Sequence, residues 1–251
     1  MSLYLSITVF LFGLVFGSFF NVVGLRLPIG EPFANERSKC PACHKQLSWF
    51  ELIPLISYAA LRGKCRHCSI AISWKYPVME AITGLLFLFS FLVAKDVLHF
   101  ILSVLLVSLL TIVLVSDLAY MIIPDQVLLV FSILFLCVHV IQSGEIPVDA
   151  LFGGAAGIMI IAFIIFISKG GIGAGDMKLF GAVGIVLGAK KVILAFMLSC
   201  MIGGIIGSVL LLLKVVKPAT PIPFVPFIIV GVLITYFFGD ASITWYNKWF
   251  S

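Results

Sequence analysis

The sequence predicts an all-α polytopic membrane protein of about eight transmembrane helices with one small soluble insert, and three observations carry that prediction. Of 251 residues, 62% are hydrophobic and only 11% are charged, against roughly 25% charged in soluble domains. So few charges cannot cover a soluble surface of this size. Apolar runs long enough to cross a bilayer, about 20 residues each, recur through most of the chain. The one long interruption, Arg26 to Pro77, holds half of the 16 lysines and arginines.

The elements follow in order. The first run, 3–25, has no basic leader segment and no small-residue cleavage site after it, so it is expected to remain as an anchor. The insert comes next. It carries Arg26, Arg37, Lys39, Lys45, Arg62, Lys64, Arg66 and Lys75 against only Glu31, Glu36 and Glu51. Basic loops stay in the cytoplasm, so this segment is expected there with the N-terminus outside. Further spans are expected at 78–94, 98–116, 126–142, 150–168, 177–189, 192–213 and 223–239, the sixth of the eight being short.

Alternation then places the acidic loop Gln142 to Asp149 outside, and Lys169, Lys214 and Lys217 inside. Lys190 and Lys191 fall on the side the rule disfavours, against the balance of the other loops. The net charge of +5 therefore reports orientation. No nucleic-acid motif, internal repeat, low-complexity tract or long linker accompanies it.

Cys40-Pro-Ala-Cys43 and Cys65-Arg-His-Cys68 form two CxxC pairs with 21 residues between them. Four thiolates so spaced can close a tetrahedral zinc site of zinc-ribbon type. Two disulfides or a redox pair are the alternatives. A cytoplasmic position opposes stable disulfides, and a redox couple needs only one CxxC. A segment of about 50 residues with little core would gain much of its fold from such a metal. His44 and His67 are surplus once four thiolates are counted. Cys137 and Cys200 lie in apolar runs and are expected to be packing residues. His99 and His139 stand isolated.

Two aspartates at the ends of greasy runs are the strongest functional signal. Asp117 ends the run Phe100 to Val115, and Asp176 closes Gly170-Gly-Ile-Gly-Ala-Gly-Asp after the run Ala155 to Ile167. An ionisable residue at the edge of a membrane helix is costly and so a functional candidate. Paired carboxylates at short range keep one proton between them, which is aspartic-protease chemistry. Intramembrane acids also serve ion transport. A proton relay through Asp117, Asp125 and Asp176 is therefore the rival reading, and a non-catalytic scaffold with a zinc module is a second. Asp125 follows Pro124 and reads as a helix cap, and Asp176 reads equally as the cap of a helix beginning at Met177. Asp117 ends a helix, where the dipole disfavours negative charge. The glycines 170, 171, 173 and 175 allow close approach of a second chain, as an unwound peptide substrate requires.

Taken together these motifs resemble the bacterial type IV prepilin peptidases, over nearly the whole chain. Gly17-Ser-Phe-Phe-Asn21 through Arg26-Leu-Pro28, the two CxxC pairs with Glu51-Leu-Ile-Pro54 between them, and Tyr76-Pro77-Val-Met-Glu80 resemble the family's N-terminal part. Asp117 with Ile123-Pro124-Asp125, Gly173-Ala-Gly-Asp176 with Lys178, and Pro223-Phe224-Val-Pro226 resemble its peptidase part. The compact size and glycine-rich loop are most similar to the competence-type enzymes of Gram-positive bacteria.

The resemblance implies a peptidase half at 96–251, with Asp117 and Asp176 catalytic. It also implies a methyltransferase half at 1–95 that contains the insert 26–77. Such enzymes cut the leader from prepilins and pseudopilins at the cytoplasmic membrane face. They serve pilus, secretion or competence machinery, and many then methylate the new N-terminus using S-adenosylmethionine. No GxGxxG signature of a soluble methyltransferase appears. The donor's site is therefore expected on the insert and first two spans, with Glu80 its candidate acid and Asp125 a weaker substrate-orienting candidate.

Overall fold

The apolar runs become helices in the computed structural model, which describes residues 3–32, 38–40, 42–145, 147–168, 173–217 and 222–250. Glu36, Arg37, Pro41, Lys169, Gly170 and Gly171 lie outside the described residues. Helix α1 runs Leu3–Arg26, α2 is the short Ile56–Ala60, α3 is Lys75–Val93 and α4 is Val97–Tyr120. Then come α5 at Asp125–Ser143, α6 at Val148–Ser168, α7 at Ala174–Leu212 and α8 at Val225–Phe250. Seven of these are long and apolar enough to cross a membrane. This is a multi-pass membrane protein.

The predicted sixth and seventh spans form the single element α7, whose 39 residues would stretch about 58 Å if straight, twice a bilayer core. It is not straight. Gly188 has φ 74° and ψ 169°, a conformation that favours glycine. The rings of Phe180 and Phe196 lie 5.7 Å apart, where a straight helix would separate them by about 24 Å. The chain therefore doubles back at Gly188, and α7 is a hairpin of a short first arm and a longer second arm. Both predicted segments are helical and meet at Gly188, the first being too short to cross a bilayer core by itself.

The chain divides into two compact units, residues 1–119 and 120–251. In the first, α1 packs along α3 through glycines. A Cβ on Gly13 would sit 2.7 Å from the Gly84 Cα, and one on Gly17 would sit 2.9 Å from the Glu80 Cα. Gly24 meets α4 in the same way, its Cβ position lying 2.8 Å from the Ile112 carbonyl oxygen. Lipid offers no hydrophobic drive between helices, so close backbone approach at small residues supplies the van der Waals contact. Thr83 adds a buried link, its hydroxyl donating to the Met79 carbonyl at 2.7 Å and lying 3.4 Å from that of Thr111.

The second unit repeats the device. Gly153 and Gly157 of α6 face the backbone of the first arm of α7 at Gly184 and Phe180, with no room for a side chain. Gly231 of α8 packs on Ala195 and Ser199 of the second arm. Cys137 and Cys200, expected to be packing residues, are exposed on α5 and on the second arm of α7. Both sit in apolar surroundings if lipid covers those faces, so the hydropathy of their runs does not distinguish inward from outward.

Candidate functional site

The insert is built from two matching turns. Cys40 N–H donates to the Lys45 carbonyl and His44 N–H to the Cys40 carbonyl. Twenty-five positions on, Cys65 and Ser69 repeat that pattern with Ile70 and Cys65. Each turn carries one isolated antiparallel bridge, Lys39 with Gln46 and Lys64 with Ala71. Each also has a left-handed residue four places after its first cysteine, His44 at φ 55° and Ser69 at φ 59°. His44 thus shapes its turn.

The two turns bring all four sulfurs within 4.8 Å of one another, and Cys40 Sγ lies 3.8 Å from Cys68 Sγ. A tetrahedral zinc with bonds of about 2.3 Å spaces its sulfurs about 3.8 Å apart, whereas a disulfide needs about 2.05 Å. The cluster fits a metal. Its electrostatics point the same way. The backbone amides of Cys43 and Ala42 pull the Cys40 thiol down to about 6. At Cys68 the Ile70 amide also pulls downward. Burial and the other three sulfurs prevail there, and the thiol rises to about 11. Four crowded thiols cannot all ionise without a cation among them.

Beside the cluster, wholly within the first unit, a cavity of about 420 Å³ opens between the insert, the end of α1 and the start of α3. Glu51 and Glu80 both line it and both are buried, at 9% and 8% exposure. Glu80 sits where Gly17 lets α3 approach α1, and its Oε2 accepts the Leu55 N–H at 3.0 Å. The Ser18 hydroxyl is its second partner. Leu55, at φ 58°, enters α2 in a conformation rare for leucine, and the Glu80 contact holds it there. Glu51 closes a capping box, with the Ser48 N–H donating to Oε2 at 2.8 Å. That amide outweighs burial and, helped by the fields of His67 and Arg66, holds the Glu51 carboxyl below its usual range.

Asp117 is not among the residues that line this cavity. Asp117 belongs to the last turn of α4, in the first unit, and is 7% exposed. Asp176 belongs to the first turn of α7, in the second unit, and is 9% exposed. Helix α7 begins at Ala174 with Gly173 as its cap, so Asp176 stands inside the helix and does not cap it. Its charge meets the favourable end of a helix dipole, and that of Asp117 the unfavourable end. Gly175 packs on Ile123, a Cβ there lying 3.3 Å from that side chain, which ties the GxGD turn to the start of α5. Asp125 is the first residue of α5, and Pro124 takes the cap position. Its carboxylate receives Lys178 Nζ at 2.6 Å, both side chains being exposed.

Two features escaped the sequence reading although each had a signal. Glu51 was legible as Ser48-x-x-Glu51, a capping-box pattern. The helix contacts were legible as Gly13-xxx-Gly17 and Gly153-xxx-Gly157, small-residue pairs one helical turn apart.

The bacterial peptidase A24 N-terminal domain matches residues 11–94, and the type IV leader peptidase family matches residues 104–208. A Bacillus subtilis (strain 168) protein named prepilin leader peptidase/N-methyltransferase is 37% identical over 95% of this chain and 96% of its own length. One of the same name from Aeromonas salmonicida (strain A449) is 34% identical over 97% of this chain and 94% of its own. A third, from Stutzerimonas stutzeri, is 32% identical over 91% and 89%. No solved structure matches. Identity of this depth over nearly full length, joined to the thiol cluster and the two buried aspartates, means that the chain belongs to the type IV leader peptidase family.

Proposed function

We propose that the protein removes the leader peptide of prepilins or pseudopilins at the cytoplasmic membrane face, and then methylates the new N-terminal amine. The observation that carries the reading is family membership over both parts of the chain, together with buried aspartates at the ends of two apolar helices. Asp117 and Asp176 are the catalytic pair. One takes a proton from water as it attacks the scissile carbonyl, and the other gives a proton to the carbonyl oxygen. The amine then leaves with a proton returned from the pair, which titrates as one system. The basic insert orients both activities to the cytoplasm. The substrates are subunits of pilus, secretion or competence machinery.

The methyl donor, S-adenosylmethionine, supplies an electrophilic methyl group to the neutral amine. Residues 1–95 form its half of the chain, and the cavity carrying Glu80 holds it, two buried carboxylates being suited to a cationic ligand. Zinc in the four-cysteine cluster is structural. The ion-relay reading gains no support, since Asp125, one of its three carboxylates, is exposed and paired with Lys178.

The test is cleavage of a leader-bearing pilin in membranes, followed by the mass of the mature N-terminus. Asp117→Asn and Asp176→Asn should each abolish cleavage while the protein accumulates normally. Glu80→Gln should yield cut, poorly methylated pilin. Full cleavage by either aspartate variant refutes the pair, and an unmethylated wild-type product leaves a peptidase alone.

A further inference from the structure

We propose that residues 52–61 of the insert lie in the membrane interface, with the outward face of α2 against lipid acyl chains. This placement is independent of the reactions proposed above. The insert is not polar throughout. Between Glu51 and Arg62 the run Leu-Ile-Pro-Leu-Ile-Ser-Tyr-Ala-Ala-Leu carries no charge, although most of the insert's basic residues lie on either side of it. An apolar run of roughly 10–14 residues is too short to span a bilayer and marks either a buried core helix or an interfacial segment. Burial decides between them, because none of residues 52–61 is buried.

The two sides of the run differ. Leu52, Ser57, Tyr58 and Leu61 line the cavity of the insert. Ile56, Ala59 and Ala60, three and four positions apart and so on one helix face, take no part in that lining. All three are exposed, Ile56 to 66%. The outward face of α2 therefore offers no polar side chain to water.

Depth identifies what covers it. Helix α3 has 19 residues, about 28 Å of length, and a bilayer core of about 30 Å takes up all of it. Its first two turns thus stand at the hydrocarbon boundary. Glu80, in the second turn, accepts the N–H of Leu55 at 3.0 Å. The residue that opens α2 is in this way tied to the edge of a membrane span.

The flanks fit a lipid surface. Trp49 and Trp74, exposed to 79% and 65%, bracket the run, and indole rings favour the headgroup level. Arg62, Lys64, Arg66 and Lys75 follow the run and are exposed, a charge that anionic headgroups complement. A second copy of the chain would bring the same basic residues to the contact and repel it. With the outer face of α2 in lipid, the cavity on its inner face lies at the bilayer boundary, within reach of a chain terminus that emerges from the membrane.

The experiment is photolabelling of the full-length protein in nanodiscs whose lipids carry a diazirine in the acyl chain, read by peptide mass spectrometry. Bound zinc is measured alongside as the mark of a folded insert. Residues 52–61 should be labelled several-fold above the zinc turn 42–46, on the scale of the exposed face of α1. Labelling no higher than that of the turn overturns the placement.

A photo-crosslinker then names the occupant. Ile56→benzoylphenylalanine should join to lipid under light that joins Phe12→benzoylphenylalanine of α1 to lipid. A crosslink to a second copy or to another segment of the chain overturns the inference, and so does no crosslink at all. If the variant at position 56 loses its zinc, Ala59→benzoylphenylalanine on the same face takes its place. If both lose it, the wild-type labelling decides.

Discussion

From Ser38 to Pro77, the buried residues among those described are Cys40, Glu51, Gly63 and Cys65. The single helix α4, by contrast, buries Leu106, Val107, Leu109, Leu110 and Val113 along with eight further residues. Among its described residues the insert thus has no buried aliphatic or aromatic side chain, although Trp49, Ile56, Ile70 and Trp74 are all exposed. A segment this small cannot offset its conformational entropy by apolar burial. Four sulfurs close enough to share one cation stand where a core would, and a metal held there would supply what apolar burial does not. The membrane helices face the opposite situation. Their apolar side chains gain little by turning inward from lipid, and their cohesion comes from backbone approach at glycine. One protein therefore uses two stabilising devices, and each should fail under a perturbation the other survives.

The largest effect should come from the metal. Structural zinc in small domains contributes about 10–16 kcal/mol at neutral pH. Chelation, or Cys65→Ser at the most buried sulfur, should therefore unfold the insert. Limited proteolysis should then cut within residues 42–73, while the helical circular dichroism of the spans persists. Leader cleavage should fall only in part. Loss of the whole helical signal together with the zinc would mean that the insert organises the membrane part as well.

Next in size are the glycine contacts. Gly157→Ala drives a methyl into the Phe180 carbonyl, backbone that cannot rotate away. It should lower the thermal stability of the second unit by about 1–3 kcal/mol. Gly207→Ala, which meets nothing within 4 Å, should be neutral or stabilising by up to about 1 kcal/mol. Neither change should alter bound zinc. Equal effects of the two substitutions on melting would remove close approach as the cohesive device.

The smallest effect belongs to the exposed pair. Lys178→Met should cost under about 1 kcal/mol, because solvent screens an ion pair with both partners exposed. Cleavage by Asp125→Asn should stay well above that of Asp117→Asn. A collapse of activity in Lys178→Met with stability intact would promote this pair from structural tie to part of the reacting centre.

Much of this was legible without coordinates. The spans could be located because a bilayer demands about 20 apolar residues in a row, a constraint local to the sequence. The thiol cluster was legible because each CxxC folds in one short turn. Its two turns proved to repeat one hydrogen-bond pattern, which no spacing rule contains.

The limits lie where distant residues meet. Gly188 carries no signal that separates a hinge from another packing glycine, and only the Phe180–Phe196 contact reveals a hairpin. Cys137 and Cys200 read as packing residues, but hydropathy cannot distinguish packing against lipid from packing against protein. Glu80 read as the candidate acid of a donor site, and the fold adds that its Oε2 accepts the Leu55 N–H while a second buried carboxylate, Glu51, lines the same cavity. The sequence by itself determined which segments enter the membrane and which side chains can ionise, since both follow from local chemistry. Only the tertiary structure decided that the Leu55 amide meets Glu80 and that the chain doubles back at Gly188, because both depend on residues distant in the sequence coming together.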